Sequence, residues 1–245
     1  MQIAEDLREQ ILQGTLPSGE RVPSEAVLMS RYGVAQGTVR KAVTELRTWG
    51  LAETFHGRGT FVRGRPAVRR KSFDRFRRSH REAGQAAFLA ETDQAGITAD
   101  VRVLNIGSVS VAQEIALKLG VPEGSKVLER RRLYFADGVP VETAASYIPR
   151  ELADAIPELA SEQPGPGGIY ARLEANGHRL SEFVEEVSAR PGTKEEVSAL
   201  SLGVGAPVIR LLRSAYDVGG RVIEVCDTVM AADRFVLEYR ISADD

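Results

Sequence analysis

Cysteine and histidine are scarce in this sequence. It has one cysteine, Cys226, and three histidines, His56, His80 and His178, which lie far apart. A single cysteine cannot form an intramolecular disulfide, and these histidines do not match the short spacing of a structural zinc site or of a catalytic metal-binding helix. The sequence therefore predicts no disulfide, no metal site and no cofactor.

Long apolar runs are also absent. No stretch reaches the roughly 18 apolar residues of a membrane-spanning helix, and the acidic segment 1–6 lacks the basic and then apolar pattern of a secretory signal. We therefore predict a cytoplasmic protein without a membrane partner. With 245 residues, 43% hydrophobic and 27% charged, the chain can form one large globular domain or two ordinary ones.

The net charge of −2 hides a split between two parts of the chain. Residues 1–82 hold 16 Lys and Arg against 9 Asp and Glu, whereas residues 83–245 hold 16 against 25. Clustered positive charge on one module is typical of nucleic-acid binding. The N-terminal part is therefore expected to bind a polyanion, and the acidic remainder is not.

The N-terminal part has the hydrophobic spacing of three helices. The first is predicted over residues 2–13. The second begins after Ser24, a candidate N-cap, and has Val27 and Leu28 on its buried side. After a short turn, a third helix is predicted over residues 36–49. The second and third helices form a helix-turn-helix.

The third helix is amphipathic. Its apolar face, which is expected to pack in the core, carries Val39, Ala42, Val43 and Leu46. Its opposite face, which is available to DNA, carries Gln36, Gly37, Arg40, Lys41, Thr44 and Arg47. Glycine costs about 1 kcal/mol against alanine inside a helix, so Gly37 suggests a close approach of its backbone to another group.

Two strand-like runs, 51–55 and 60–63, flank the tip His56-Gly57-Arg58-Gly59 and predict a hairpin wing. Residues 66–82 are strongly basic and contain Pro66, which predicts a linker. The linker would join a winged helix-turn-helix domain over residues 1–65 to a second domain over residues 83–245.

The second domain alternates strands with a few helices. Strands are predicted over 99–106, 127–135, 139–149, 180–189, 208–217 and 222–231, and helices over 110–119, 150–156, 169–176 and 194–200. Such strands indicate one mostly antiparallel sheet. The predicted fold class is therefore α+β, in two domains.

Closely spaced motifs mark the N-terminal domain. They are Pro23-Ser24-Glu25, Gly33-Val34, Thr38-Val39-Arg40, Ala42, Leu46, Gly50-Leu51 and Gly57-Arg58-Gly59-Thr60-Phe61-Val62. With this set, the segment resembles the GntR family of winged-helix repressors. The family usually has arginines where this chain has Ala26 and Gln36, and a serine in place of Ala35. A different operator sequence is expected.

A weaker set of motifs marks the second half. They are Arg132, Asp137-Gly138, Pro140, Ser146-Tyr147-Ile148-Pro149, Gly203, Pro207, Arg213, Glu224 and Asp233-Arg234-Phe235. Here the chain resembles the UTRA effector domain of the HutC subfamily, whose fold is similar to that of chorismate lyase. The two resemblances cover nearly the whole chain.

The resemblance places DNA contacts on the third helix and the wing. The first half of that helix would enter the major groove, where arginine can bond guanine bidentately and glutamine can pair with adenine. At the wing tip, glycine permits a close approach to the minor groove. The alternatives are solvated charges and an ordinary hairpin. The DNA-binding candidates are Ser24, Gln36, Gly37, Thr38, Arg40, Lys41, Thr44, Arg58, Gly59 and Thr60.

On the predicted strand 127–135, Arg130 and Arg132 fall on one face, which holds the effector in the resembled domain. An inward arginine can clamp a carboxylate or phosphate, which would make the effector anionic, and the alternative is a surface ion pair. The family often has a second arginine at the position of Tyr134. The effector-binding candidates are Arg130, Arg132, Tyr134, Ser146, Tyr147, Arg213 and Glu224, with Cys226 bordering the pocket.

These features predict a homodimeric transcription regulator, most simply a repressor that a small-molecule effector releases from a pseudo-palindromic double-stranded operator. Two alternatives stay open. The C-terminal domain could serve only for dimerisation, or it could be a lyase-like enzyme. Against an enzyme, the sequence has no Ser-His or Cys-His constellation, no Walker loop and no dinucleotide fingerprint.

Overall fold

The computed structural model describes residues 2–55, 57–63, 68–83, 87–163, 165–203 and 205–243. The chain divides into two compact units, one over residues 1–66 with 191–207 and the other over residues 67–190 with 208–245. Within the described ranges, no helix is long and apolar enough to cross a membrane.

The first unit contains three helices followed by a two-stranded hairpin. These elements are α1 (Gln2–Leu12), α2 (Glu25–Tyr32), α3 (Gln36–Thr48), β1 (Ala52–Phe55) and β2 (Gly59–Val62). The hairpin is antiparallel, with Thr54 opposite Thr60. This order confirms the predicted winged helix-turn-helix.

Local capping fixes the ends of α2. The Ser24 hydroxyl accepts a hydrogen bond from the Val27 amide at 3.4 Å, so Ser24 is the N-cap that the sequence predicts. Gly33 ends the helix in the left-handed conformation, with φ of 64°. The N-cap position of α3 is Ala35, whose methyl group caps nothing.

The core of this unit is built from the apolar stripes of its helices. Leu7 of α1, Leu28 of α2 and Leu46 of α3 have no exposed surface. Val27 was expected beside Leu28, but it is 53% exposed. That prediction was wrong because consecutive helical residues point about 100° apart, so a short helix with one partner face buries only one of them.

The second unit is built on a six-stranded sheet. Its strands are β4 (Ala99–Ser110), β5 (Lys126–Ala136), β6 (Val139–Pro149), β7 (Leu180–Pro191), β8 (Pro207–Asp217) and β9 (Val222–Ala231), in the spatial order β4-β5-β6-β9-β8-β7. The pairs β4-β5, β5-β6, β6-β9 and β8-β9 are antiparallel. The α+β prediction is confirmed. Strand β4 is longer than predicted and ends at Ser110, so the helix expected over residues 110–119 begins only at Gln113.

The segment that was predicted as a linker is ordered over residues 68–82. Strand β3 (Val68–Lys71) pairs in parallel with β10 (Phe235–Glu238), and α4 (Ser72–Arg75) and α5 (Arg78–Glu82) follow. Arg70 is only 1% exposed. The linker prediction was therefore wrong for these residues. It was based on the basic composition of the segment, and composition does not show that acidic partners distant in sequence bury these arginines. Residues 64–67 lie outside the described ranges.

Helices cover both faces of the sheet. They are α6 (Ala87–Gln94), α7 (Gln113–Leu119), α8 (Arg150–Ala155) and α9 (Gly168–Ala175). Leu128 and Ile148 of the sheet pack with α8 and α9, whereas Val127 packs with α7 on the opposite face. Helix α10 (Lys194–Ala199) belongs to the segment 191–207, which groups with the first unit instead of the second domain predicted over 83–245.

Candidate DNA-binding surface and effector cavity

The two faces of α3 divide as the sequence predicts. Val39, Ala42 and Leu46 are buried, and the opposite face is exposed to solvent. A methyl group on Gly37 would meet no atom within 4 Å outside the helix backbone, so no contact in the described chain requires glycine at this position. The exposed candidates on this face are Gln36, Gly37, Thr38, Arg40, Lys41 and Thr44.

A carboxylate from α2 binds two side chains of this exposed face. The Gln36 amide Nε2 donates to Glu25 Oε2 at 2.6 Å, and Arg40 Nε donates to Oε1 at 3.1 Å and to Oε2 at 3.3 Å. These hydrogen bonds, first that of Gln36 and then that of Arg40, lower the pKa of the Glu25 carboxyl. Glu25 was assigned no DNA-binding role from the sequence, although an acidic residue beside a basic helix face could have indicated one.

Two candidate hydroxyls are already engaged with the backbone. Ser24 caps α2, and the Thr44 hydroxyl donates to the Arg40 carbonyl oxygen at 2.9 Å. Both residues nevertheless remain exposed, and a hydroxyl has further hydrogen-bonding capacity. Their use as phosphate ligands therefore stays a prediction.

The wing tip holds its cation over aromatic rings. The Arg58 guanidinium lies 5.6 Å from the Phe55 ring centre and 5.9 Å from that of Phe61. The next residue, Gly59, has φ of 112°, and a methyl group there would lie 2.6 Å from Arg21 Nε. This φ favours glycine at a position where the Arg21 side chain packs against the hairpin. The sequence did not indicate Arg21, and His56 of the predicted tip lies outside the described residues.

Behind the wing tip, the strands are tied by side chains as well as by backbone. The hydroxyls of Thr60 and Thr54 lie 2.9 Å apart across the hairpin. Thr60, a DNA-binding candidate, is half-buried, so this bond orients it within the hairpin.

In the second unit, a cavity of about 450 Å³ lies over one face of the sheet. Side chains of β4, β5, β6, β8 and β9 form its floor, and residues from α4, α6, α9 and the loop before α9 form its walls. Five of the effector-binding candidates line it: Arg130, Arg132, Tyr134, Arg213 and Glu224. Cys226 also lines it, as predicted.

Two arginines on the cavity floor lack an acidic partner. Arg130 donates to the carbonyl oxygens of Leu159 and Ser161, and Arg132 Nη2 donates to the Ser146 hydroxyl at 2.6 Å. Neither forms an ion pair with a carboxylate of the described chain, and the Nε atom of each is buried without a hydrogen-bond partner there. Burial, followed by the charge of Arg132, lowers the pKa of Arg130 to about 10. Burial also acts to lower the pKa of Arg132, but Tyr134, Cys226 and Glu224 raise it above its usual value, so both arginines remain cationic at neutral pH.

A second group of residues closes one end of the cavity. Arg213 Nη2 lies 3.3 Å from Glu224 Oε2, and Arg213 Nε donates to the Tyr170 hydroxyl at 3.1 Å. The Tyr170 hydroxyl in turn donates to Glu224. Burial would raise the pKa of the Glu224 carboxyl, but Arg213 and Tyr170 hold it below its usual value. The Arg213 guanidinium also lies 4.7 Å from the Phe76 ring centre.

Strand alternation separates two neighbouring candidates. Ser146 is fully buried beneath the floor, where its hydroxyl accepts from Arg132. Tyr147 packs on the opposite face with the α7 cluster, so its prediction as an effector ligand was wrong. The family motif spans both residues, but consecutive strand residues point to opposite faces of the sheet, so they cannot both face one cavity.

Several wall residues could not be found from the sequence. Arg75 and Phe76 belong to the segment interpreted as a linker, and Tyr170 follows a glycine-rich loop that was interpreted only as a loop. Glu142 reaches the cavity from β6. In the described part of the chain, no group of three acidic, histidine or cysteine side chains could hold a metal ion.

Comparisons with known proteins agree with both halves. Residues 1–62 match the family described as bacterial regulatory proteins, gntR family, and residues 94–236 match the UTRA domain. An uncharacterized HTH-type transcriptional regulator of Rhizobium meliloti is 32% identical, over 96% of this chain and 92% of its own length. The HTH-type transcriptional repressor NagR of Bacillus subtilis is 28% identical, over 97% and 92%. The crystal structure of PhnF from Mycobacterium smegmatis superposes with a TM-score of 0.60 and 25% identity, covering 99% of this chain and 100% of that one.

Proposed function

Since this chain belongs to the GntR family and carries the UTRA domain of its HutC subfamily, we propose that it is a repressor that leaves its operator when an anionic small molecule fills the cavity. Its family consists of DNA-binding transcriptional regulators. One relative, NagR, is named a transcriptional repressor, which supports repression as the mode of action here.

The two unpaired arginines of the floor carry the proposal of an anionic effector. Leaving a buried charge without a partner is costly, and a ligand carboxylate or phosphate would remove that cost at Arg130 and Arg132. Two of the three carboxylates that line the cavity are engaged elsewhere, since Glu224 is bound to Arg213 and Glu142 to Arg70. The third, Glu162, is exposed to solvent and forms no ion pair with either arginine in the described part of the chain. An anion is therefore the ligand that the cavity best accommodates.

The exposed face of α3 and the wing support DNA binding by the first unit. Arg40 carries free Nη groups that suit guanine, and the wing presents Arg58 beside a glycine. In our proposal the protein is a homodimer, whose two α3 helices bind half-sites about one DNA turn apart.

The cavity favours effector binding over a C-terminal domain that serves only for dimerisation. A dimerisation domain does not require two arginines without acidic partners around a cavity of about 450 Å³. We further propose that the protein is not an enzyme.

The test compares the wild type with Arg132→Gln and Arg131→Gln. Arg131 is adjacent in sequence but lies on the other face, where its exposed side chain pairs with Glu129 at 2.8 Å. A library of carboxylated and phosphorylated metabolites is screened by thermal shift, and hits are tested for release of operator DNA by fluorescence anisotropy. We expect a hit to stabilise the wild type and R131Q and to release their DNA, and to bind R132Q at least tenfold more weakly. Equal binding to R132Q would contradict the proposed site.

A further inference from the structure

Glu25 is the first residue of α2, and its carboxylate accepts hydrogen bonds from two α3 side chains that were assigned to DNA. Gln36 and Arg40 both donate to it, at 2.6 Å and 3.1 Å. All three side chains are at least partly accessible, with Arg40 65% and Glu25 42% exposed. A carboxylate beside a DNA-binding face repels phosphates, so Glu25 does not add to affinity for DNA. Negative charge in the first turn favours α2, and the same carboxylate also binds two side chains assigned to bases.

The contact fixes which hydrogen-bonding groups Gln36 can offer. Only the amide nitrogen can face a carboxylate, because the amide oxygen would be repelled. One of the two N–H groups is therefore committed to Glu25, which leaves one N–H and the carbonyl oxygen. That pair complements the N7 acceptor and N6 amino group of adenine. Guanine presents two acceptors, N7 and O6, and bridging both would need the N–H that Glu25 already holds.

The same carboxylate restrains Arg40. Its Nε is bound to Glu25, while the donors on Nη1 and Nη2 remain available as a fork. The fork matches the two acceptors of guanine. Because the guanidinium is already positioned, less side-chain freedom is lost when it binds a base.

We propose that Glu25 is a specificity-determining positioning residue, which makes Gln36 select adenine over guanine and directs Arg40 to guanine. This inference rests on the proposed role of α3 in base recognition. Because its charge opposes the phosphates, Glu25 lowers affinity for DNA in general while it raises discrimination between sequences.

The experiment selects bound sites from a random duplex DNA library with the full-length protein, followed by sequencing. The wild type is compared with Glu25→Ala, Glu25→Gln and Glu45→Ala. Glutamine at position 25 keeps an acceptor and loses the charge. The Glu45→Ala variant removes an exposed negative charge from α3 without touching Gln36. Base preference is a ratio between DNA sites on the same protein sample, so it does not depend on the folded fraction.

We expect E25A to bind DNA in general as tightly as the wild type or more tightly, but to lose about tenfold in preference at the positions that Gln36 and Arg40 contact. E25Q should keep most of that preference, and E45A should keep all of it. An unchanged preference in E25A, or an equal loss in E25Q, would overturn the proposal. Arg40→Ala separates the two hypotheses. If R40A loses sequence preference while E25A does not, only this inference fails, and if R40A and Gln36→Ala both lose none, base recognition by α3 fails as well.

Discussion

Arg70 of β3 and Glu142 of β6 form an ion pair that is almost completely buried, with side chains 1% and 2% exposed. Arg70 also lies 3.7 Å from Glu91 of α6, which pairs with Arg75 of α4. Glu142 and Arg75 both line the cavity. The segment that begins at Val68 is thus joined by charges to residues that line the cavity.

The first prediction concerns the stability of this pair. Replacing Arg70 by Met leaves the Glu142 carboxylate buried and without its cation, so the free energy of unfolding should fall by about 3 kcal/mol or more. The double variant R70M/E142L should recover much of that loss, because neither charge is then left unpaired. Urea unfolding followed by circular dichroism measures both. A double variant no more stable than R70M would contradict a direct coupling.

The same pair shows what the sequence can and cannot predict. The helical period of Val39, Ala42 and Leu46 is local, so it predicts both faces of α3 correctly. Arg70 and Glu142 are 72 positions apart, and composition alone makes the segment around Arg70 resemble a solvated linker. Burial of such residues depends on partners that only the folded sheet brings together.

The residues of the cavity also divide into those that a local sequence pattern predicts and those that it does not. Alternation along β5 correctly places Arg130 and Arg132 on one face, because the period of a strand is also local. Tyr170 and Phe76 converge on Arg213 from separate helical segments, and no local pattern specifies that meeting. Applied to β6, alternation alone would have separated Ser146 from Tyr147.

The second prediction distinguishes base contacts from phosphate contacts on α3. Arg40→Ala should weaken operator binding by about 1–3 kcal/mol and relax the preference at one base position. Its charge is already compensated by Glu25, so the dependence of affinity on salt should change little. Lys41→Ala removes an exposed cation from the same helix, and it should reduce the salt slope by about one and leave base preference intact. Anisotropy titrations at several salt concentrations check both. The reverse pattern would assign Arg40 to phosphate.

The third prediction concerns pH. The pKa of Glu224 is lowered in the folded protein, so its ionised form contributes stability above its usual pKa of 4.5, and this contribution is lost as the pH falls through the lowered value. Glu224→Gln should therefore destabilise the protein most at neutral pH, and the difference from the wild type should shrink as the pH falls below about 4.5. Thermal unfolding across pH 3–7 measures it. A difference that does not change with pH would show that packing, not charge, is lost.

The fourth prediction compares two glycines of the DNA-binding unit. At Gly37, φ is not in the left-handed region and a methyl group meets no atom within 4 Å, so Gly37→Ala should stabilise α3 by about 0.5–1 kcal/mol. At Gly59, φ is 112°, a conformation that L residues rarely adopt, so Gly59→Ala should strain the wing and lower thermal stability even where the Arg21 side chain moves aside.

The operator affinity of the G37A protein tests whether DNA approaches α3 at Gly37. If the DNA backbone approaches α3 closely at Gly37, the G37A protein should be more stable yet bind its operator more weakly, since the methyl group occupies space that is open only in the free protein. Differential scanning fluorimetry and anisotropy on the same samples give both values. A G37A variant that gains stability and keeps its affinity would show that the open space beside Gly37 is not used by DNA, and it would leave helix-to-groove contact to the side chains alone.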